Sequence, residues 1–191
     1  MAHPAATTRA VPFLVPGLLI AIAALSSAAF ACVTPFAAFA LAAAYALTPR
    51  TALGTIAGVW VANQAVGYAI LAYPGDAGTI SWGLAIGVAA LVSTAIAGAT
   101  LSHAGRNALV ALAAGFVVAF AAYEAAMLPA LLMLGGWETF TPSIIGQFAL
   151  YSLLWAAGLI GGVEVLRRLG MIGIDRPALL PGAFVAATAR R

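Results

Sequence analysis

Long apolar runs fill most of the chain, and short breaks rich in Pro, Gly or polar residues separate them. The runs occupy residues 11–31, 34–48, 51–72, 79–102, 107–134 and 143–166. They are too long for the strands of a membrane barrel and lack strict alternation of apolar and polar positions, so we expect helices. A helix needs about 20 apolar residues to cross the hydrocarbon core of a bilayer. The pattern therefore predicts six transmembrane helices.

The second run is short for a complete span. A helix of about 15 residues extends roughly 22 Å, whereas the hydrocarbon core is about 30 Å thick. We therefore expect this helix to be tilted, partly re-entrant or shielded by its neighbours.

The amino-acid composition indicates the class of protein to which this pattern belongs. The 191 residues are 64% hydrophobic and 7% charged, and the mean hydropathy is +1.10. A soluble domain of this size has too little polar surface to cover so much apolar material. We therefore expect an all-α membrane protein in contact with a lipid bilayer. The net charge of +3 comes from arginines scattered between the runs, so we expect no nucleic-acid partner. The one cysteine excludes an intrachain disulfide.

The arginines predict the orientation of the six helices. If the N-terminus is cytoplasmic, all of them fall on the cytoplasmic side, as the positive-inside rule requires: Arg9, Arg50, Arg106, Arg167, Arg168, Arg176, Arg190 and Arg191. Asp76 and Glu138 then fall in outer loops. We expect both termini to be cytoplasmic, with a tail over residues 1–10, a transmembrane domain over 11–168 and a C-terminal extension over 169–191.

The first run admits a second interpretation. Arg9, the apolar stretch and Ala29-Phe30-Ala31 before Cys32 resemble a cleavable signal peptide. The apolar core is long for a signal peptide, and cleavage would leave the orientation of the following helices unchanged. We therefore keep the first run as a membrane helix.

Polar and aromatic side chains collect in the outer half of the predicted bundle. Placing such groups in hydrocarbon costs free energy, so we expect each of them to contact another polar group, water or a ligand. We take the following as candidates for binding a small molecule: Cys32, Asn63, Gln64, Tyr68, Trp82, Glu124, Gln147 and Tyr151. The alternatives stay open, because Asn63, Gln64, Gln147 and Tyr151 could equally join helices through hydrogen bonds. Trp82 could instead belong to the belt of aromatic residues at the membrane–water boundary. A lone cysteine such as Cys32 is more often a small buried residue than a ligand-binding one. For Glu124 a functional role is favoured, since no basic residue lies at its depth.

The sequence carries no catalytic motif. It has no H-E-x-x-H, no G-x-S-x-G and no P-loop, so we expect no enzyme, no metal site and no cofactor. Without an ATP site, active transport would need energy from a partner or a gradient.

Several short motifs resemble a known family. They are TPFAAFAL at residues 34–41, PR at 49–50, VWVANQ at 59–64 and GY at 67–68. This pattern is similar to the T-P-x-x-A-x-A-L and W-L-x-[DN] patterns of S-component-like proteins, the substrate-binding subunits of energy-coupling-factor vitamin transporters. The resemblance extends over residues 11–168.

This resemblance implies a function and a location. The protein would sit in the bacterial inner (cytoplasmic) membrane as a multi-pass subunit and capture a vitamin from outside, with cobalamin as one candidate substrate. In cobalamin-binding members a cysteine can ligate the corrinoid cobalt, and Cys32 is the residue to compare with it. A membrane coupling subunit and ATPases would be the partners, docking at Ala24 and Ala28. A different class of function remains open, namely a non-transporting accessory or assembly subunit of a larger membrane complex.

Overall fold

The computed structural model describes residues 13–31, 33–103 and 107–174. Within these residues the chain forms six α-helices and no strand, which confirms the predicted all-helical class. The helices are α1 (Leu14–Ala29), α2 (Phe36–Ala46), α3 (Pro49–Ala69), α4 (Ala77–His103), α5 (Ala108–Leu134) and α6 (Pro142–Arg168). A short 3₁₀ turn at Trp137–Thr139 lies between α5 and α6. The predicted tail, most of the C-terminal extension and Cys32 lie outside the described residues.

Three of the described helices are long and apolar enough to cross a membrane, namely α4, α5 and α6. Each has 27 residues, or about 40 Å at 1.5 Å per residue. The helix α3 has 21 residues, but Arg50, Asn63 and Gln64 make it less apolar. Many large apolar side chains of the long helices are exposed, including Leu132 and Met133 at 72% and 84%. These surfaces suit contact with lipid rather than with water.

The short helix α2 forms the centre of the bundle. Every residue from Phe36 to Tyr45 is buried, and α2 contacts each of the other five helices. A helix that is apolar on all sides can be stable only when other protein surrounds it. Its alanines let the neighbouring helices approach closely. The neighbouring helices therefore shield the short second helix, which is one of the three arrangements expected from its length.

Contacts between side chains fix the direction of each helix. Trp60 of α3 lies against Gly87 and donates a hydrogen bond from its indole Nε1 to the carbonyl of Gly83, at 2.7 Å. Gly83, four residues before Gly87, lies against Gln64, four residues after Trp60, so the two helices are antiparallel. Phe39 of α2 packs on Trp155 of α6, and Tyr45 bonds Glu164. These two helices are therefore parallel.

The same reasoning shows that successive helices alternate in direction. In α5, Tyr123 stacks on Phe36 while Gly115 meets Leu41, so α5 is antiparallel to α2. One end of the bundle thus carries all the basic residues of the described chain, and we call it the arginine end: Arg50, His103, Arg167 and Arg168. The opposite end carries Asp76 and Glu138, and we call it the acidic end.

Local sequence explains where helices begin. Asp76 accepts hydrogen bonds from the Thr79 backbone N–H and hydroxyl, both at 2.9 Å, which satisfies donors in the first turn of α4. These bonds hold the pKa of Asp76 below its usual range. Asn107 accepts from the backbone of Leu109 and Val110 at the start of α5. Proline occupies the first turn of both α3 and α6, where its missing N–H costs nothing.

Candidate functional site

A buried polar network joins α1, α3 and the loop before α2. The Asn63 amide donates hydrogen bonds to Ser27 Oγ and Thr34 Oγ1, each at 3.0 Å. The two hydroxyls bond each other at 2.8 Å. Gln64 Nε2 donates to Asn63 Oδ1 at 3.1 Å. Ser27, Thr34 and Asn63 are all buried.

This network has the geometry of interhelical hydrogen bonding. Its members satisfy one another across three segments of chain, which removes the cost of burying them. Asn63 and Gln64 therefore act together, and their bonds to protein groups are consistent with the helix-joining interpretation. The sequence does not point to Ser27, because a serine in an apolar run carries no local sign of its partner. Cys32, two residues before Thr34, lies outside the described residues.

Two aromatic candidates lie around the acidic end. Trp82 is partly exposed, and its ring lies near Gly136, in the loop that follows α5. Tyr68 is also partly exposed on α3. Nearby, the Tyr73 hydroxyl donates to the Ala31 carbonyl at 3.1 Å, which ties the end of α3 to the end of α1. This setting fits both a boundary belt and a binding site for the two rings.

The start of α2 lies well below the acidic end of its neighbours. Its first residue, Phe36, stacks on Tyr123 of α5, with ring centroids 6.3 Å apart. From Tyr123, α5 continues to Leu134, about 16 Å further toward the acidic end. On α6, Trp155 packs on Phe39, and α6 begins at Pro142, about 20 Å away. The central helix therefore does not accompany the last three or so turns of α5 or the first turns of α6.

Glu124 follows Tyr123 on α5 and therefore lies level with the first residue of α2. Its side chain is partly buried, and no hydrogen bond or ion pair joins its carboxyl to another residue of the described chain. The α4-facing side of α5 includes Ala119, whose carbonyl accepts from Ser93 at 2.8 Å. Glu124 is five residues further, about 140° around the helix. It therefore lies away from the contact of α5 with α4 at Ala119.

Along α6, four-residue spacing separates Gln147, Tyr151 and Trp155, and their environments differ. Tyr151 and Trp155 are partly buried and meet edge to face, with centroids 6.1 Å apart. The Tyr151 hydroxyl donates to the Val33 carbonyl at 3.4 Å, which places it beside the loop before α2. Gln147 is exposed. In the described chain, no hydrogen bond or ring contact joins Glu124 to Gln147, Tyr151 or the Asn63 network.

A second buried polar cluster lies toward the arginine end. The Tyr45 hydroxyl donates to Glu164 Oε1 at 2.5 Å, and Arg167 donates to Glu164 Oε2 at 2.8 Å. Because Glu164 precedes Arg167 and Arg168 by three and four residues, the sequence predicts a local pair on the helix surface. The pair with Arg167 exists, but the surface placement is wrong, because Glu164 is only 4% exposed. The partner that buries it is Tyr45, distant in sequence and within a run of alanines.

The two docking candidates on α1 lie on its outward side. Ala28 is exposed and Ala24 is partly exposed, while Ala23 and Ser27 turn into the bundle. This side of α1 therefore offers small side chains to a neighbouring helix, which is what close helix approach requires.

Similarity to known proteins adds no further constraint on the site. Comparison of this chain with family models, with curated proteins and with solved structures finds no match.

Proposed function

We propose that this protein is an integral membrane subunit that captures a small molecule at the acidic end of the bundle for uptake. The observation that carries the proposal is the position of α2. It is short, is buried from Phe36 to Tyr45, and begins well below the acidic end. The outer parts of α3 to α6 would then surround a binding space above it. Binding sites between the helices of a bundle are common in proteins.

The residues around this space are chemically suited to ligand binding. Glu124 supplies a carboxyl without a protein partner in the described chain. Gln147, Tyr68 and Trp82 are partly or fully exposed near the acidic end, and Tyr151 reaches the loop before α2. Cys32 belongs to the same proposed lining by its position in the sequence. The Asn63 and Gln64 network would form the floor on the α3 side.

Orientation follows from the charges at the two ends. We propose six membrane-crossing segments, in which α2 crosses only together with its neighbours. The arginine end would face the cytoplasm, because positively charged loops are retained there. The acidic end would face outward, across a bacterial inner membrane. Both termini would be cytoplasmic.

The partners come from the resemblance to S-components. A membrane coupling subunit would dock on α1 at Ala24 and Ala28, and ATPases would supply energy. The substrate would be a vitamin, with cobalamin as one candidate.

A second function is favoured by one observation. The Asn63 network is satisfied by its own protein partners, as expected if polar groups only fix helices. The protein would then be a non-transporting accessory or assembly subunit of a larger membrane complex. The two functions differ in whether a small molecule binds.

A matched pair of methionines tests the proposed space. Met127 is partly buried and lies one turn beyond both Tyr123 and Glu124 on α5, whereas Met133 is 84% exposed. The purified protein is screened against vitamins and corrinoids by thermal unfolding. A ligand at 100 times its dissociation constant should stabilise the fold by about 2.7 kcal/mol. Met127→Trp should remove this stabilisation by filling the space, and Met133→Trp should retain it.

Each outcome of the screen has a clear meaning. If Met127→Trp fails to fold, the smaller Met127→Phe takes its place. Equal ligand stabilisation of both variants would place binding elsewhere in the protein. Absence of any ligand-dependent shift, with an intact unfolding transition, would favour the accessory subunit.

A further inference from the structure

Charge is distributed unevenly along the axis of the bundle. The basic residues of the described chain all lie at the arginine end. The remaining arginines precede α1, connect α4 to α5, or follow α6 in the sequence. Toward the acidic end, the described charged residues are Asp76, Glu124 and Glu138, and all three are acidic. A ligand that enters from this end therefore meets carboxylates and no positive charge of the described chain.

Glu124 is the acidic residue best placed to meet such a ligand. Asp76 is already engaged by two hydrogen bonds from Thr79, and Glu138 is exposed in the 3₁₀ turn. Glu124 is inside a long apolar helix and lacks a partner in the described chain. A carboxyl in such surroundings is costly unless a cation, a hydrogen-bond donor or water reaches it.

Aromatic rings flank this carboxyl on its own helix. The preceding residue, Tyr123, stacks on Phe36. One turn toward the arginine end, Phe120 stacks on Phe116, with ring centroids 6.1 Å apart. Faces of aromatic rings attract organic cations, most strongly where water is excluded. Ala, Leu and Met residues make up most of the surrounding helix, which suits the apolar body of a ligand.

We propose that the captured molecule is an organic cation, or an amine that binds as its ammonium, with Glu124 as its counter-ion. This inference rests on the proposed function, and it names the class of substrate. Binding of an anionic ligand would be disfavoured, since the described residues toward the acidic end include carboxyl groups and no basic group. A ligand with one positive charge and an apolar body satisfies Glu124 and the flanking rings together.

The test compares molecules of similar shape and different charge. The probes are choline and benzyltrimethylammonium as cations, 3,3-dimethylbutan-1-ol as the neutral isostere of choline, and benzoate as an anion. Each probe is added to the purified protein at about 10 mM, which is ten times a dissociation constant of about 1 mM, and thermal unfolding is recorded. We expect the cations to raise the unfolding temperature, and the isostere and benzoate to leave it unchanged.

A pair of carboxyl variants identifies the counter-ion. Glu124→Gln should weaken binding of benzyltrimethylammonium at least about tenfold, equivalent to about 1.4 kcal/mol. Glu138→Gln removes a carboxyl at the same end of the bundle and should leave the affinity unchanged. Tryptophan fluorescence of the free variants checks that both keep the native packing. An equal loss of affinity in both variants would show that the overall negative charge of the acidic end attracts the cation, and it would overturn the assignment of Glu124.

Failure of this inference is distinguishable from failure of the proposed function. If a neutral or anionic member of the vitamin panel binds and Glu124→Gln leaves its affinity unchanged, the cation assignment is wrong while small-molecule capture stands. If the cations produce no shift but another ligand does, the conclusion is the same. If neither the cations nor the panel produce a shift, both proposals fail.

Discussion

At the scale of single residues, the buried polar side chains separate into two kinds. Asn63 and Glu164 are each bonded to groups on another helix or loop, so their cost of burial is offset within the protein. Glu124 has no such partner in the described chain. The first kind should therefore affect stability, and the second should affect ligand binding.

Asn63→Leu tests the first kind in the α1–α3 network. The change removes the donor to Ser27 and Thr34 and leaves both hydroxyls without it, so we expect a loss of about 1–2 kcal/mol in unfolding free energy. Denaturant titration in detergent measures the loss. Gln64→Leu, which removes one bond from a partly exposed side chain, should cost less. A fully stable Asn63→Leu variant that no longer binds ligand would instead assign Asn63 to ligand contact.

Tyr45→Phe tests the cluster at the arginine end. The substitution keeps the ring and removes the hydroxyl that donates to the buried Glu164 carboxylate. Hydrogen bonds to charged groups contribute about 1.5–3 kcal/mol, so we expect a loss in that range. Tyr151→Phe is the control, because its hydroxyl makes a longer bond of 3.4 Å to the Val33 carbonyl. Thermal unfolding of the two variants should differ, and equal transitions would show that the Tyr45 bond contributes little.

At the scale of helices, glycines set how closely α3 and α4 approach. A Cβ at Gly87 would lie 2.8 Å from the ring of Trp60, whereas a Cβ at Gly98 would meet nothing within 4 Å. The Trp60 ring cannot move freely, since it bonds the Gly83 carbonyl. Two glycines of the same helix thus have different roles, although the sequence around each is rich in alanine.

Gly87→Ala should therefore force α3 and α4 apart. We expect a loss of about 1–3 kcal/mol from overpacking. Gly98→Ala should be neutral or stabilising by up to about 1 kcal/mol, because alanine favours the helix. Unfolding curves compare the stabilities, and tryptophan emission reports whether Trp60 has moved. Equal stability of the two variants would mean that the helices adjust without cost.

At the scale of the whole molecule, alternation of helix direction gathers the basic residues of the described chain at one end and leaves the other end acidic. The acidic end carries Asp76 and Glu138, and the arginine end carries Arg50, Arg167 and Arg168. This separation is what an oriented membrane protein needs, because Arg in short loops controls which side stays in the cytoplasm.

Cysteine labelling checks this orientation directly. In a Cys32→Ser background, Thr139→Cys places a thiol at the acidic end and Ser102→Cys places one at the arginine end, and both positions are exposed. Neither change alters charge. We expect a membrane-impermeant maleimide to label Thr139→Cys in intact cells, and Ser102→Cys only after permeabilisation. The reverse pattern would invert the proposed topology.

The candidate site could be predicted from sequence only in part. Depth along a helix follows from counting residues, so Asn63, Glu124 and Tyr151 could be assigned to the same half of the bundle. Their partners could not, because hydrogen bonds to Ser27, Thr34 and Val33 depend on which helix faces which. For the same reason, Tyr45 could not be recognised from sequence as the partner of Glu164.

The sequence by itself determined the helices and their number in the described chain. Long apolar runs can satisfy their backbone groups only as helices, and prolines, glycines and polar breaks mark their ends. It also determined that the second helix is too short to span alone. Only the tertiary structure decided that this helix is the buried centre of the bundle, because an all-apolar helix looks the same whether lipid or protein surrounds it. Likewise, only packing decided which polar groups are paired and that Glu124 lacks a partner in the described chain.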